Sequence, residues 1–196
     1  MKSAFFIRPL TLNDLPNVKK FTDRAIGKGY FSLDELEQIF KKSLYHQSKK
    51  DEKMMTLVLA KGKKIYGVRI TYPPGQWSHG KGRELTPEKW PHLLTKTAYF
   101  QSLFIDPDLT TQGWGTKMSL QSIEELKKIK AQGIACHSWK DSPQDSSGRY
   151  LRSLGFKRIA THLHYWKEVD YACTRCGKPC LCTAEEMYLD LFKKGS

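Results

Sequence analysis

"SLFIDPDLTTQGWGTKM", residues 102–118, runs from an apolar, strand-like stretch through Pro107 into a polar turn, and then into a helix-like stretch across Gly113 and Gly115. Glycines serve wherever backbone must bend tightly. At the start of a helix they also leave backbone N–H groups uncovered at the positive end of the helix dipole, an arrangement that holds phosphate. The segments on either side decide between a plain turn and a phosphate cradle.

"AYFQSLFI" just upstream is nearly continuous in apolar residues apart from Gln101 and Ser102, which predicts a central strand. Downstream, Leu120, Ile123, Leu126 and Ile129 keep a helical stripe to Lys130. "GIACHSW" reads as a strand, "SSGRYLRSLGF" as a short helix stopped by Gly155, and "FKRIATHLHYWKEV" as one or two further strands. Toward the N-terminus, "AFFIRPL" predicts a first strand. Thr11 and Asp14 resemble a capping pair ahead of Leu15, Val18 and Phe21. Ser32 with Glu35 forms a capping box for a second helix expected to run to about Tyr45. "TLVLAKGKKIYGVRITY" predicts two strands around a lysine and glycine turn. Residues 73–97 form a long loop rich in Pro, Gly and Lys that keeps Trp77 and Trp90, and an ordered flap over a site is expected. Thr183 and Glu186 look like the cap of a terminal helix carrying Met187 and Leu191. The resulting order, β-α-α-β-β-β-α-β-α-β-β, implies an α/β fold: a mixed sheet with helices on both faces.

A chain of 196 residues suits one packed domain with an appendage. An apolar content of 39% excludes wholesale disorder, and no run of eighteen apolar residues predicts a membrane span. "MKSAFFIRPL" does not read as a signal peptide, so cytoplasmic residence is the expectation. The net charge of +13 favours an anionic partner. The lysines are scattered rather than striped, so nucleic acid is the less favoured one.

The chain resembles the GNAT superfamily, the acyl-CoA-dependent N-acyltransferases. "FIRPLTLNDL" looks like the opening strand and helix, "LFIDPDLTTQGWGTKM" like the coenzyme-binding turn, and "RYLRSLGFKRI" like the closing helix-to-strand passage. Ile105 and Pro107 fill V-x-P, and Gly113 and Gly115 fill G-x-G. Thr110 stands where the family opens its motif with Arg or Gln. The resemblance implies a GNAT-like mixed central sheet flanked by helices over residues 1–170. It implies acetyl-CoA as cosubstrate and a primary amine as acceptor. The N–H groups of Gln112, Gly113, Trp114, Gly115 and Thr116 would cradle the pyrophosphate. Leu103, Phe104 and Ile105 would offer backbone groups to the pantetheine and, near Phe104 or Ile105, to the thioester carbonyl. A catalytically weak binding protein of the same fold, recognising nucleic acid or protein, is the alternative.

The family's carboxylate base falls on Tyr99, which is no carboxylate, so water or a base from elsewhere is required. The family's acid position falls on Leu151, with Tyr150 one residue earlier and about 100° away around a helix. Tyr150 is the candidate acid, and His137 a candidate base because imidazole titrates near neutrality. His162 and His164 share one strand face and are candidates for the acceptor pocket, as are Tyr30 and Phe31 between the first two helices, Trp77 and Trp90 in the flap, and Tyr99.

Outside the resemblance, residues 171–196 form a cysteine-rich appendage. Cys173, Cys176, Cys180 and Cys182 are spaced C-x2-C-x3-C-x-C, close enough for one tetrahedral Zn²⁺ in a closed structural site remote from acyl transfer. An iron–sulfur cluster or four free thiols are the alternatives. A metal here would pin the terminal helix.

Overall fold

The computed structural model describes residues 4–48 and 51–192. Its strands are β1 (Phe6–Pro9), β2 (Leu44–Ser48), β3 (Asp51–Met54), β4 (Leu57–Lys61), β5 (Lys64–Tyr72), β6 (Thr97–Ile105), β7 (Gly133–Trp139), β8 (Lys157–His162) and β9 (Ala184–Asp190). Its α-helices are α1 (Leu15–Ala25), α2 (Leu33–Lys42), α3 (Trp114–Lys128) and α4 (Ser146–Ser153). Seven strands form one mixed sheet in the order β1-β4-β5-β6-β7-β9-β8. β6 and β7 are parallel and the other neighbours antiparallel. The α/β expectation holds.

Local chemistry starts the helices where the sequence places them. Ser32 Oγ accepts from Glu35 N–H while the Glu35 carboxylate accepts from Ser32 N–H, closing the capping box of α2. Asp14 accepts from Thr11 N–H and Thr11 Oγ1 and pairs with Arg8, which fixes the entry to α1. Leu15, Val18 and Phe21 of α1 and Leu36 of α2 bury against Val58, Val68 and Ile70 on one sheet face. Ile123 and Leu126 of α3 and Leu151 of α4 pack with Phe100 and Cys136 on the other. Burying side chains of this size stabilises by about 1.5–3 kcal/mol each.

Two expectations fail. α2 ends at Lys42 rather than Tyr45, because the buried Ser43 hydroxyl bonds Ile39 O and Thr56 Oγ1 and stops the helix. The next residues pair as the β2–β3 hairpin, Leu44 opposite Met54. The expected terminal helix is instead β9, hydrogen-bonded to β7 on one side and β8 on the other. Ala184 to Tyr188 are all buried, as a strand inside a sheet requires. Glu186 caps no helix; its carboxylate is consumed by the flap and by β8. The chain beyond Asp170 thus adds a strand to the main sheet. No described helix is long and apolar enough to cross a membrane.

Candidate active site

β6 and β7 pair only from Thr97–Gly133 to Phe100–Cys136 and then part, although β6 continues to Ile105 and β7 to Trp139. The register of β6 on β5 slips at this point: Thr71 faces Phe100, Ile70 faces Ser102, and Gln101 is the extra residue of a bulge. A bulged strand bends, so the sheet opens into a gap whose β7-facing edge beyond Phe100 carries unpaired backbone groups. A cavity of about 620 Å³ fills this gap and reaches both sheet faces. Gly27 to Tyr30 of the α1–α2 loop line one end, Ser146, Ser147 and Tyr150 of α4 the other.

The glycine turn lies at the β6–α3 junction. Gly113 has φ of +77°, a left-handed conformation that glycine adopts without steric cost. At Gly115 a Cβ would meet Leu103 Cδ2 at 3.2 Å, a tight contact that the leucine end would have to yield to. The first bond into the helix runs from Lys117 N–H to Gly113 O, so the N–H groups of Gly113, Trp114, Gly115 and Thr116 lack intrahelical acceptors. Gln112 N–H bends back toward Leu109 O and is the least free of the expected donors. Leu103 and Phe104 line the cavity, whereas Ile105 packs with Leu59 and Met118.

Tyr150 faces the cavity despite the one-residue offset. Its hydroxyl lies 3.0 Å from Gly115 O and 2.7 Å from Ser119 Oγ, which ties α4 to the first turn of α3. Burial raises its pKa, with the nearby Arg69 opposing. Arg69 on β5 gave no signal in the sequence. Its guanidinium is buried with Nε and Nη2 unpartnered and stacks 3.5 Å over Phe100. Burial lowers its pKa to about 10, so it remains a cation at neutral pH.

On the other side of β6 the Tyr99 hydroxyl lies 2.8 Å from His137 Nδ1. Tyr165 OH donates to Gly82 O and lies 3.1 Å from the same nitrogen, so Nδ1 sits between two phenol oxygens. Nε2 is buried without a hydrogen-bond partner among the described residues, and Glu186 Oε2 is 4.0 Å away. Glu186 also accepts from Trp90 Nε1 and Thr86 N–H and lies 2.7 Å from His162 Nε2. His162 Nδ1 in turn lies 3.3 Å from the exposed carboxylate of Glu84. Burial, assisted by His162, lowers the His137 pKa to about 3, so the ring is neutral. Glu186, four residues past Cys182, is the buried carboxylate nearest this ring. Its resemblance to a helix cap hid it.

The expected aromatics divide. Tyr30 and Tyr99 form cavity wall. Phe31 lies behind Tyr30, ring centroids 4.8 Å apart. Trp77 stacks behind Tyr99 at 4.6 Å and donates its indole N–H to Thr97 O. Trp90 is fixed on Glu186. The flap is ordered, but its tryptophans support the wall rather than forming it. The two histidines do not share a strand face: β8 ends at His162, which joins the Glu186 cluster, and His164 lies beyond it in an exposed turn with φ of +54°; neither lines the cavity.

The four cysteines are unbridged, with their sulfurs all within 4.8 Å of one another. Cys173–Cys182 and Cys176–Cys180 are 3.8 Å apart and Cys176–Cys182 3.6 Å. Four sulfurs about 2.3 Å from one tetrahedral Zn²⁺ would lie about 3.8 Å apart. The residues fit the ion. Against the expectation from sequence, the cluster is not remote from the cavity: Tyr171, Ala172, Cys173 and Thr174 line it. Chain reversal at Gly177, with Cys173 and Gly177 exchanging two backbone bonds, folds the knot back onto Trp139 and Trp166.

No family model matches the sequence, and no curated protein does. Solved structures do match. The ribosomal-protein-S18-alanine N-acetyltransferase of Escherichia coli superposes with a TM-score of 0.66 at 18% identity, covering 98% of this chain and 97% of that one. An N-acetyltransferase from Staphylococcus aureus Mu50 gives 0.64 at 17% identity, covering 96% and 99%. A Salmonella typhimurium structure holding its cofactor acetyl-CoA gives 0.62 at 15% identity, covering 99% and 98%. The chain has the fold of the GNAT acetyltransferases, with a four-cysteine cluster near its C-terminus.

Proposed function

We propose that the protein transfers an acetyl group from acetyl-CoA to a primary amine. The observation that carries this reading is the gap between β6 and β7: an aromatic chamber lines one end and Tyr150 the other, and the Tyr150 hydroxyl bonds Gly115 O in the first turn of α3. Acetyl-CoA would supply the acyl thioester. The N–H groups of Gly113 to Thr116 would hold its pyrophosphate in the positive field of α3, and the open edge of β6 would bond the pantetheine amides and polarise the carbonyl.

The chain's own residues then divide the proton chemistry. Tyr150, kept protonated by burial, is placed to give a proton to the departing sulfur. Arg69 beside it adds a positive potential that favours negative charge there. On the amine side, the nitrogen's surplus proton would pass to the pair formed by the Tyr99 hydroxyl and His137 Nδ1, 2.8 Å apart, with Glu186 beyond the ring. His162 and Glu84 extend that path to the surface. A neutral His137 suits such a relay better than the role of free-standing base.

The cysteine knot, in this reading, binds one Zn²⁺ in a closed tetrahedron that shapes the cavity wall and leaves no position for water. Reduced thiols of this kind accord with cytoplasmic residence. The test combines two measurements. Acetyl-CoA should raise the melting temperature through mass action, and a panel of amines should release free thiol from it. Tyr150→Phe should keep the thermal shift and lose turnover by about 10²-fold. A chain that acetyl-CoA does not stabilise is not this enzyme.

A further inference from the structure

Lys81 stands in the flap between Gly80 and Gly82. A Cβ on Gly80 would collide with the Tyr99 and Tyr165 hydroxyls, and one on Gly82 with the Tyr165 backbone carbonyl. The flap backbone is thus pressed onto the groups that line the candidate proton path. Between two residues that have no side chain, Lys81 turns its own into the cavity wall. Its Nζ lies 4.3 Å from the Tyr30 ring centroid and 4.8 Å from that of Phe31. The Tyr30 ring packs edge-on against Phe104 at 5.4 Å, on the strand stretch assigned to the thioester.

Among the described residues Lys81 forms no ion pair, so aromatic faces are its main compensation for lost water. Burial lowers its pKa and Glu35 opposes, which makes the neutral amine more accessible than on a surface lysine. A primary amine on a flexible stem, held by aromatic rings at the acceptor end of the gap, is what an external acceptor would present.

We propose that Lys81 is an internal acceptor and that the enzyme acetylates it on its own flap. This rests on the acyltransferase reading above. The neutral Nζ attacks the thioester carbonyl carbon. A C–N bond forms and the C–S bond breaks; the sulfur leaves with the electron pair and gains one proton as the nitrogen loses one. The products are N-acetyl-lysine and free coenzyme A. The charge is gone, and with it the attraction to Tyr30 and Phe31.

The full chain is incubated with acetyl-CoA, digested and read by mass spectrometry at each lysine. Lys81 should gain one acetyl group at least about tenfold faster than the exposed Lys63, the advantage expected of a positioned amine. The rate constant should not depend on protein concentration. Excess coenzyme A should slow labelling of Lys81 and not of Lys63, and Gly115→Glu should abolish the Lys81 advantage. If acetyl-CoA stabilises the chain yet Lys81 labels no faster than Lys63, the inference is overturned while the acyltransferase reading stands. A rate that climbs with protein concentration, or one indifferent to coenzyme A, also overturns it. Absence of any acetyl-CoA stabilisation overturns both.

Discussion

Arg69 lays its guanidinium 3.5 Å over the centroid of the Phe100 ring, and no carboxylate meets it among the described residues. A buried cation without an anion costs stability, and this one borders the cavity beside Tyr150. Arg69→Met should therefore raise the melting temperature of the free protein while lowering turnover by about 10²-fold, the range for losing one preorganised electrostatic contact. Arg69→Lys should recover part of the rate. A destabilised Arg69→Met variant with full activity would return Arg69 to a packing role.

The two glycines of the α3 turn should fail differently. Gly113→Ala keeps the N–H groups but forces a Cβ into the left-handed region, at about 1–2 kcal/mol. Gly115→Glu puts bulk and negative charge against Leu103, where pyrophosphate is to sit. Calorimetric titration with coenzyme A should show weak or absent binding to Gly115→Glu and near-normal binding to Gly113→Ala in a less stable protein. Equal affinity in all three proteins would place the phosphate site elsewhere.

His137 makes stability depend on acid. Its folded pKa, about 3, lies below the ordinary histidine value of about 6.5 because burial disfavours the imidazolium. The unfolded chain binds the proton first, so this contribution is fully present above pH 6.5 and is lost as pH falls toward 3. Denaturant titrations across that window should show a shallower decline for His137→Gln than for the parent. Parallel curves would mean that the ring is solvated and titrates normally.

Zinc removal is expected to act on the acceptor end. Elemental analysis should find about one zinc per chain, and Cys176→Ser should lower that content. Because Cys173 lines the cavity and Tyr171 OH lies 3.3 Å from Cys180 Sγ, chelation should raise the KM for amine before it weakens coenzyme A binding at the distant α3 turn. Iron with visible absorbance, or metal-free protein with four titratable thiols, would refute the zinc assignment.

Much of this protein is set by local sequence. The capping box at Ser32 and Glu35, the glycine turn before α3 and the apolar run of β6 act over a few residues, and each element forms where its own chemistry requires. The cysteine spacing likewise keeps four thiols within ten residues of one another, and in the fold their sulfurs all lie within 4.8 Å. What local sequence could not settle is which partner a residue finds across the fold. "TAEEMYLDL" carries a helix cap and helical spacing, yet it becomes β9 because β7 and β8 both offer it a hydrogen-bonding edge. That choice turns Glu186 inward to His162 and Trp90, residues 24 and 96 positions away in the chain. Arg69 and Lys81 take their places in the same way, one beneath the β6–β7 gap and one on its aromatic wall. Periodicity and capping record the energy of neighbours in sequence. The site depends on burial and on pairs closed over long loops, and those energies exist only once the sheet has formed.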